Sequence, residues 1–171
     1  MPAESVKRSL FASTVALLLS ATAALPATFT VNDNGDAGDA LPGDGRCLTA
    51  ANRCTLRAAI EEANQTGGNE VVIPAMTITL GAPLVVQAGL TIRGAGRDTT
   101  IIDGNHAVRV LDAVQSTLNL FKLTVRNGLA PTSRTDLRSV GGGCVRTDGQ
   151  LTLIDVKAEG CQAAAGGASS P

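Results

Sequence analysis

After Gly68 the chain breaks into apolar runs too short to fold alone. They are Val71-Val72-Ile73, Thr77-Ile78-Thr79-Leu80, Leu84-Val85-Val86, Leu90-Thr91-Ile92, Ile101-Ile102, Val108-Arg109-Val110-Leu111, Leu118-Asn119-Leu120 and Leu123-Thr124-Val125. Gly, Pro, Asn or Asp separates many neighbouring runs. Segments of about three or four residues are shorter than ordinary strands and cannot sustain a hairpin in water. Stacked as rungs of a solenoid, each run gains a partner above and below. Stacked short strands are therefore the architecture that the periodicity allows.

An internal repeat supports this expectation. Leu118 to Gly128 (LNLFKLTVRNG) aligns with Leu151 to Gly160 (LTLIDVKAEG), placing Leu118 and Leu120 on Leu151 and Leu153. Leu123 and Val125 fall near Val156 and Ala158, again at positions expected to face inward. The offset of about thirty residues lies within the range of repeat architectures.

The segment before the runs has a different period. Leu56, Ala59, Ile60 and Ala63 recur at helical spacing, with Arg57, Glu61 and Glu62 off the stripe. Thr55 can cap the start of this helix, while Asn64 and Gly67-Gly68 can stop it. Arg57 and Glu61 stand at i,i+4, where opposite charges can pair. A one-faced helix must bury that face, and the apolar end of the following strands is the available surface. Before it, Thr28 to Val31 reads as a first short strand and NDNGDAGDALPGDGR as loop. Asp33, Asp36, Asp39 and Asp44 in that loop have two readings, calcium ligands or acceptors for tight-turn amides. The EF-hand pattern is not met, because Gly35 stands at a ligand position and no glutamate closes the loop.

Composition narrows the function classes. The formal net charge is −1, which gives no basic field to attract nucleic acid or anionic lipid. Phe11, Phe29 and Phe121 are the only aromatic residues, so there is no stacking platform for bases and little flat surface for sugars. Lys7 and Arg8 precede an apolar run from Leu10 to Leu19, and the small-residue stretch SATAALPA follows. That is the layout of a secretory signal peptide over residues 1–27, with cleavage after Ala23, Ala24 or Ala27; Pro26 disfavours a cut just before it. The apolar run is short for a membrane span, so no transmembrane segment is expected after cleavage. The alternative is an uncleaved amphipathic anchor. In an exported chain the even set Cys47, Cys54, Cys144 and Cys161 reads as disulfides, with Cys47 and Cys54 closing a small loop at the helix start. With His106 the only histidine and no CxxC, the zinc pattern is missing.

The stretch PGDGRC…CTLRAAIEEAN…VVIP resembles the CSLREA-type N-terminal module of bacterial exported right-handed parallel β-helix repeat proteins. Thr55 replaces Ser, and Ala58 stands where Glu is usual. Gly141-Gly142-Gly143-Cys144 and the strand after it are similar to the family's GGGIYN…LTLTNVTISGN repeat. The resemblance implies an all-β fold: a right-handed parallel β-helix of few coils with an N-terminal α-helical cap. The expected organisation is cap over residues 28–70 and coils over 71–171, truncated at the C-terminus. Cys144 replaces an apolar residue of the family pattern and Cys161 a small polar one. If they lie on adjacent coils they can be bridged, or they remain two buried thiols.

Right-handed β-helices include pectate lyases and polygalacturonases, which cluster carboxylates, arginines or calcium in a groove. Asp103 and His106, in IIDGNH, and Asp112 are the candidates for such a role, among Arg93, Arg97, Arg109, Arg126 and Asp155. In the family, IDGNG is the turn between two coils, where Asp and Asn bond backbone amides. No second carboxylate close in sequence completes a glycosidase pair. The expectation is therefore an exported, non-catalytic scaffold without cofactor: secreted, periplasmic or at the cell surface, with adhesion as the suggested role. The partners expected are an extracellular polysaccharide or a surface protein, with end-to-end self-association through an open solenoid end. Two alternatives stay open: the N-terminal portion of a pectate-lyase-like carbohydrate-active enzyme, and a truncated product without independent activity.

Overall fold

A computed structural model describes residues 26–131 and 142–163. The expected signal peptide, up to residue 25, and the C-terminal residues 164–171 lie outside the described residues. The chain is mostly strands in parallel sheets, with one helix among the described residues. The elements are β1 (Thr28–Thr30), α1 (Leu56–Thr66), β2 (Asn69–Ile73), β3 (Met76–Thr79), β4 (Leu84–Val86) and β5 (Leu90–Gly94). They continue with β6 (Thr100–Asp103), β7 (Leu111–Ala113), β8 (Leu118–Arg126), β9 (Val145–Thr147) and β10 (Leu151–Glu159).

Each ladder between these strands is parallel, and the short segments are sustained by pairing with neighbours and by the core they share. One sheet runs β1-β2-β5-β8-β6-β3, with β10 also on β8, and a second runs β4-β7-β9. Parallel neighbours cannot be joined by a tight turn, so each pair is separated by intervening elements. β8 serves three partners, two of them with separate halves: Leu118–Phe121 pairs with Leu90–Arg93 of β5, and Thr124–Arg126 pairs with Ile101–Asp103 of β6. β10 follows both halves in register, Leu151 opposite Leu118, Leu153 opposite Leu120, Val156 opposite Leu123 and Ala158 opposite Val125. This register matches the internal repeat at the four apolar positions, while the glycines that end the two copies, Gly128 and Gly160, fall one residue out of step.

The two halves of β8 meet at Lys122, whose φ is 53°, and β10 turns between the same matched pairs at Asp155, φ 55°. This single left-handed residue resets the in-out alternation. Leu118 and Leu120 face inward before it, Leu123 and Val125 after it, and all four are fully or almost fully buried. They join Val71, Ile73, Ile78, Leu84, Val86, Ile92, Ile102, Leu111 and Ala113 in one core. Burying each large side chain of this kind is worth about 1.5–3 kcal/mol.

α1 closes on this core through Leu56, Ala59, Ile60 and Ala63, the stripe that the spacing predicts, and lies against β2 and β4. Thr55 caps it: its hydroxyl accepts from the Ala58 N–H at 3.1 Å and donates to the Ala37 carbonyl. The helix runs through Asn64 to Thr66, so Asn64 does not stop it; Gly67, at φ 72°, does. The Cys47–Cys54 disulfide lies just ahead of Thr55, both cysteines buried. Cys144 and Cys161 are bridged as well, and no cysteine is free.

Four further expectations are corrected. Arg57 does not pair with Glu61; its guanidinium binds Asp36 at 2.9 Å, while Glu61 accepts from the Asp39 N–H at 2.7 Å. Loop groups thus outcompete the local i,i+4 geometry. The strand expected at Val108–Leu111 starts only at Leu111, and Arg109 is buried in the approach to it. Leu118–Leu120 and Leu123–Val125 form one strand rather than two. Leu151 and Leu153 in β10 occupy inward register positions yet are exposed, because no described strand covers that end. β9 was not anticipated, since its run Val145-Arg146-Thr147 is not apolar.

Close backbone approach fixes the identity of Gly143. A Cβ there would meet the Gln162 carbonyl oxygen at 2.2 Å and that of Gly128 at 2.3 Å. Gly143→Ala is expected to cost about 2 kcal/mol or more by overpacking. Lys122→Val, a β-branched residue forced to positive φ, is expected to cost about 1–2 kcal/mol, and Lys122→Gly to be tolerated. Denaturant midpoints of the three variants check both expectations.

Candidate functional site

The candidate catalytic residues sit on two separate sheets. Asp103 ends β6 and belongs to the larger sheet; Asp112 is the middle residue of β7 in the smaller one. Among the described residues no hydrogen bond or ion pair joins Asp103 to Asp112 or to His106.

Asp103 is nearly buried and fully engaged. Its Oδ2 accepts from Arg126 Nε at 2.7 Å, the residue opposite it in the β6–β8 register. Its Oδ1 accepts from the Asn105 N–H at 2.9 Å and from Asn127 Nδ2 at 3.0 Å. Burial pushes its pKa up, but the bonds from Asn105, Arg126 and Asn127, with the charge of Arg126, outweigh it and hold the carboxyl below its usual value. A carboxylate held ionised by its donors is a poor proton donor near neutral pH. His106, the other half of the tempting pair, is exposed at φ 53°, and its N–H donates to the Asn127 carbonyl at 2.8 Å. The segment Asp103 to His106 thus forms the turn by which the chain leaves β6 of the larger sheet for β7 of the smaller one.

Asp112 lies between two arginines. Arg146 Nε, opposite it in the β7–β9 register, donates to Oδ1 at 2.7 Å, and Arg109 Nη1 donates to Oδ2 at 3.2 Å. The Arg109 side chain is 2% exposed, and its Nε also donates to the Gly142 carbonyl at 3.2 Å. The bridging charge of Asp112 offsets much of the cost of burying that guanidinium. Other charges likewise meet between neighbouring strands: Arg93 pairs with Glu70 at 2.8 Å and lies 4.6 Å over the Phe121 ring.

The four loop aspartates do not converge either. Asp33 accepts from the Gly35 N–H and pairs with Arg53; Asp36 holds Arg57 and accepts from the Gly81 N–H. Asp39 accepts from the Leu41 and Leu48 amides, and Asp44 from the Arg46 amide. Among the described residues no group of three or more His, Cys, Asp or Glu side chains could hold a metal ion. Sequence reasoning missed Glu62, which is buried in α1 and accepts from the Gly43 and Gly45 amides at 2.5 and 2.6 Å. Its signal was a glutamate beside the apolar stripe, which reads equally as a solvated flank.

Asp103→Ala is expected to cost about 1–3 kcal/mol, since it strands donors on Arg126 and Asn127. The pH dependence follows from the lowered pKa. Protonation favours the unfolded chain, so this stabilisation is complete above the unfolded value of about 3.9 and is lost as pH falls through the lower folded value. Urea midpoints measured from pH 6 down to pH 3 should fall less steeply in Asp103→Asn than in wild type.

Comparison of the chain with protein-family models, with curated proteins and with solved structures finds no match. Among the described residues no helix is long and apolar enough to cross a membrane.

Proposed function

We propose that this chain is an exported, non-catalytic scaffold: a right-handed parallel β-helix of few coils, acting at the cell surface or outside the cell in adhesion. In this reading its first part is a CSLREA-type module in which α1 caps the helix. The observation that carries the scaffold reading over the enzyme is the state of the two catalytic candidates. Asp103 is taken up by Arg126 and Asp112 by Arg146, each on a neighbouring strand, with Arg109 completing Asp112 from its own segment, which suits charges used to lock a stack. The parallel ladders and the bridging of Cys144 to Cys161 support the stack. The two disulfides fit an oxidising compartment.

Processing has a structural constraint in this reading. The Ala27 carbonyl accepts from the Glu70 N–H at 2.9 Å and the Ala27 N–H donates to Asn69 Oδ1 at 2.9 Å, so a cut after Ala27 would remove an edge contact of β2. Cleavage after Ala23 or Ala24 keeps it.

Expression with the leader in an exporting bacterium, then fractionation and N-terminal sequencing, tests the proposal. The expected product lies outside the cytoplasm, begins at Ala24 or Leu25 and carries both disulfides. An unprocessed cytoplasmic chain with free thiols contradicts export. Incubated with pectin and other polyuronides, the wild type is expected to release no more product than Asp103→Ala; turnover lost in that variant would replace the scaffold with an enzyme.

A further inference from the structure

β4 pairs with β7 along one edge only, and its other edge faces α1. In a parallel ladder, a neighbouring residue donates its N–H to the carbonyl before its partner and accepts from the N–H after it. Asn64 does this with its side chain. Its Nδ2 donates to the Val85 carbonyl at 2.9 Å and its Oδ1 accepts from the Gln87 N–H at 2.8 Å, so the primary amide brackets Val86 as a strand residue would. Two helical turns earlier, on the same flank of α1, Arg57 Nη2 donates to the Ala82 carbonyl at 2.7 Å and Nη1 to that of Pro83 at 3.0 Å. Asp36 accepts from the Gly81 N–H at 2.8 Å and fixes Arg57 through Nε at 3.0 Å and Nη2 at 2.9 Å.

We infer that Asn64, Arg57 and Asp36 form an edge plug that stops a second copy of this chain from adding a strand to β4. The three side chains satisfy backbone groups from Gly81 to Gln87 without presenting a new strand edge, so pairing ends there. An open β-edge is a template for pairing with another chain. Here the template would carry Val85, which is already exposed. The second copy also has a strand to offer, since β10 meets no described strand on its far side and exposes Leu153 and Ile154. The inference stands on the α1–β4 contacts and does not depend on the adhesive role.

The test uses the full chain as wild type, Asn64→Ala, and the double variant Asn64→Ala with Arg57→Ala. Hydrogen exchange by NMR should be at least about tenfold faster at the Gln87 amide in Asn64→Ala, with Leu84 and Leu111 unchanged. In sedimentation velocity the double variant should show a mass that rises with concentration more steeply than in wild type. Adding Val85→Lys, an edge charge, should suppress that rise. Should the double variant fail to fold, Asn64→Ala with Arg57→Gln carries the test, because the shorter neutral amide loses the ion pair to Asp36 and cannot reach both the Ala82 and Pro83 carbonyls. It should self-associate as expected of the double variant. Folded variants that sediment as wild type, unchanged Gln87 exchange in Asn64→Ala, or association that persists with Val85→Lys would each overturn the inference.

Discussion

Among the described residues every strand pairs in parallel with a strand that the chain reaches only after an intervening element. Thr28–Thr30 needs Glu70–Val72, Leu90–Arg93 needs Leu118–Phe121, and Leu118–Arg126 needs Leu151–Glu159. The parallel bond between sequence-distant strands is the constraint on which the rest depends. It sets a high contact order, since the entropy of closing each long loop precedes any ladder bond. It also forces every inward side chain to stack on one from the next rung, which gives columns such as Val71-Ile92-Leu120.

Much of this was legible. The repeat placed Leu118 on Leu151 and Leu123 near Val156, and the ladder has that register. The corner was not read: the two runs Leu118–Leu120 and Leu123–Val125 pass as separate segments in sequence, and only the backbone shows them joined in one strand through Lys122 at φ 53°. β7 was misplaced because Val108 to Leu111 alternates like a strand, yet Arg109 is drawn inward to meet Asp112 and the Gly142 carbonyl. Arg57 was misassigned because a local pairing rule knows nothing of Asp36, which arrives from a loop. Such tertiary partners leave no periodic trace.

The candidate site teaches a related lesson about charge. Asp103 with Arg126, Asp112 with Arg146 and Glu70 with Arg93 each join neighbouring parallel strands. Partly exposed pairs of this kind contribute modestly one by one. Their second effect is on register, because a slip of one residue would turn each charge to the other face of the sheet, among the Leu and Val columns. Carboxylates held this way explain why acidic residues in a β-rich chain need not mark a reaction centre. The same use of polar groups recurs at α1, where Glu61 and Glu62 hold the loop through its amides.

Scalar couplings across hydrogen bonds read the register of the parallel strands directly. The Leu90 N–H donates to the Thr117 carbonyl, Leu118 to Gln150, and Asn127 to Glu159, each at 2.9 Å. NMR on the uniformly labelled chain should show couplings between those three amide nitrogens and those three carbonyl carbons. Couplings that instead join adjacent segments, such as Leu118–Leu120 to Leu123–Val125, would mean local hairpins and would contradict the stacked account.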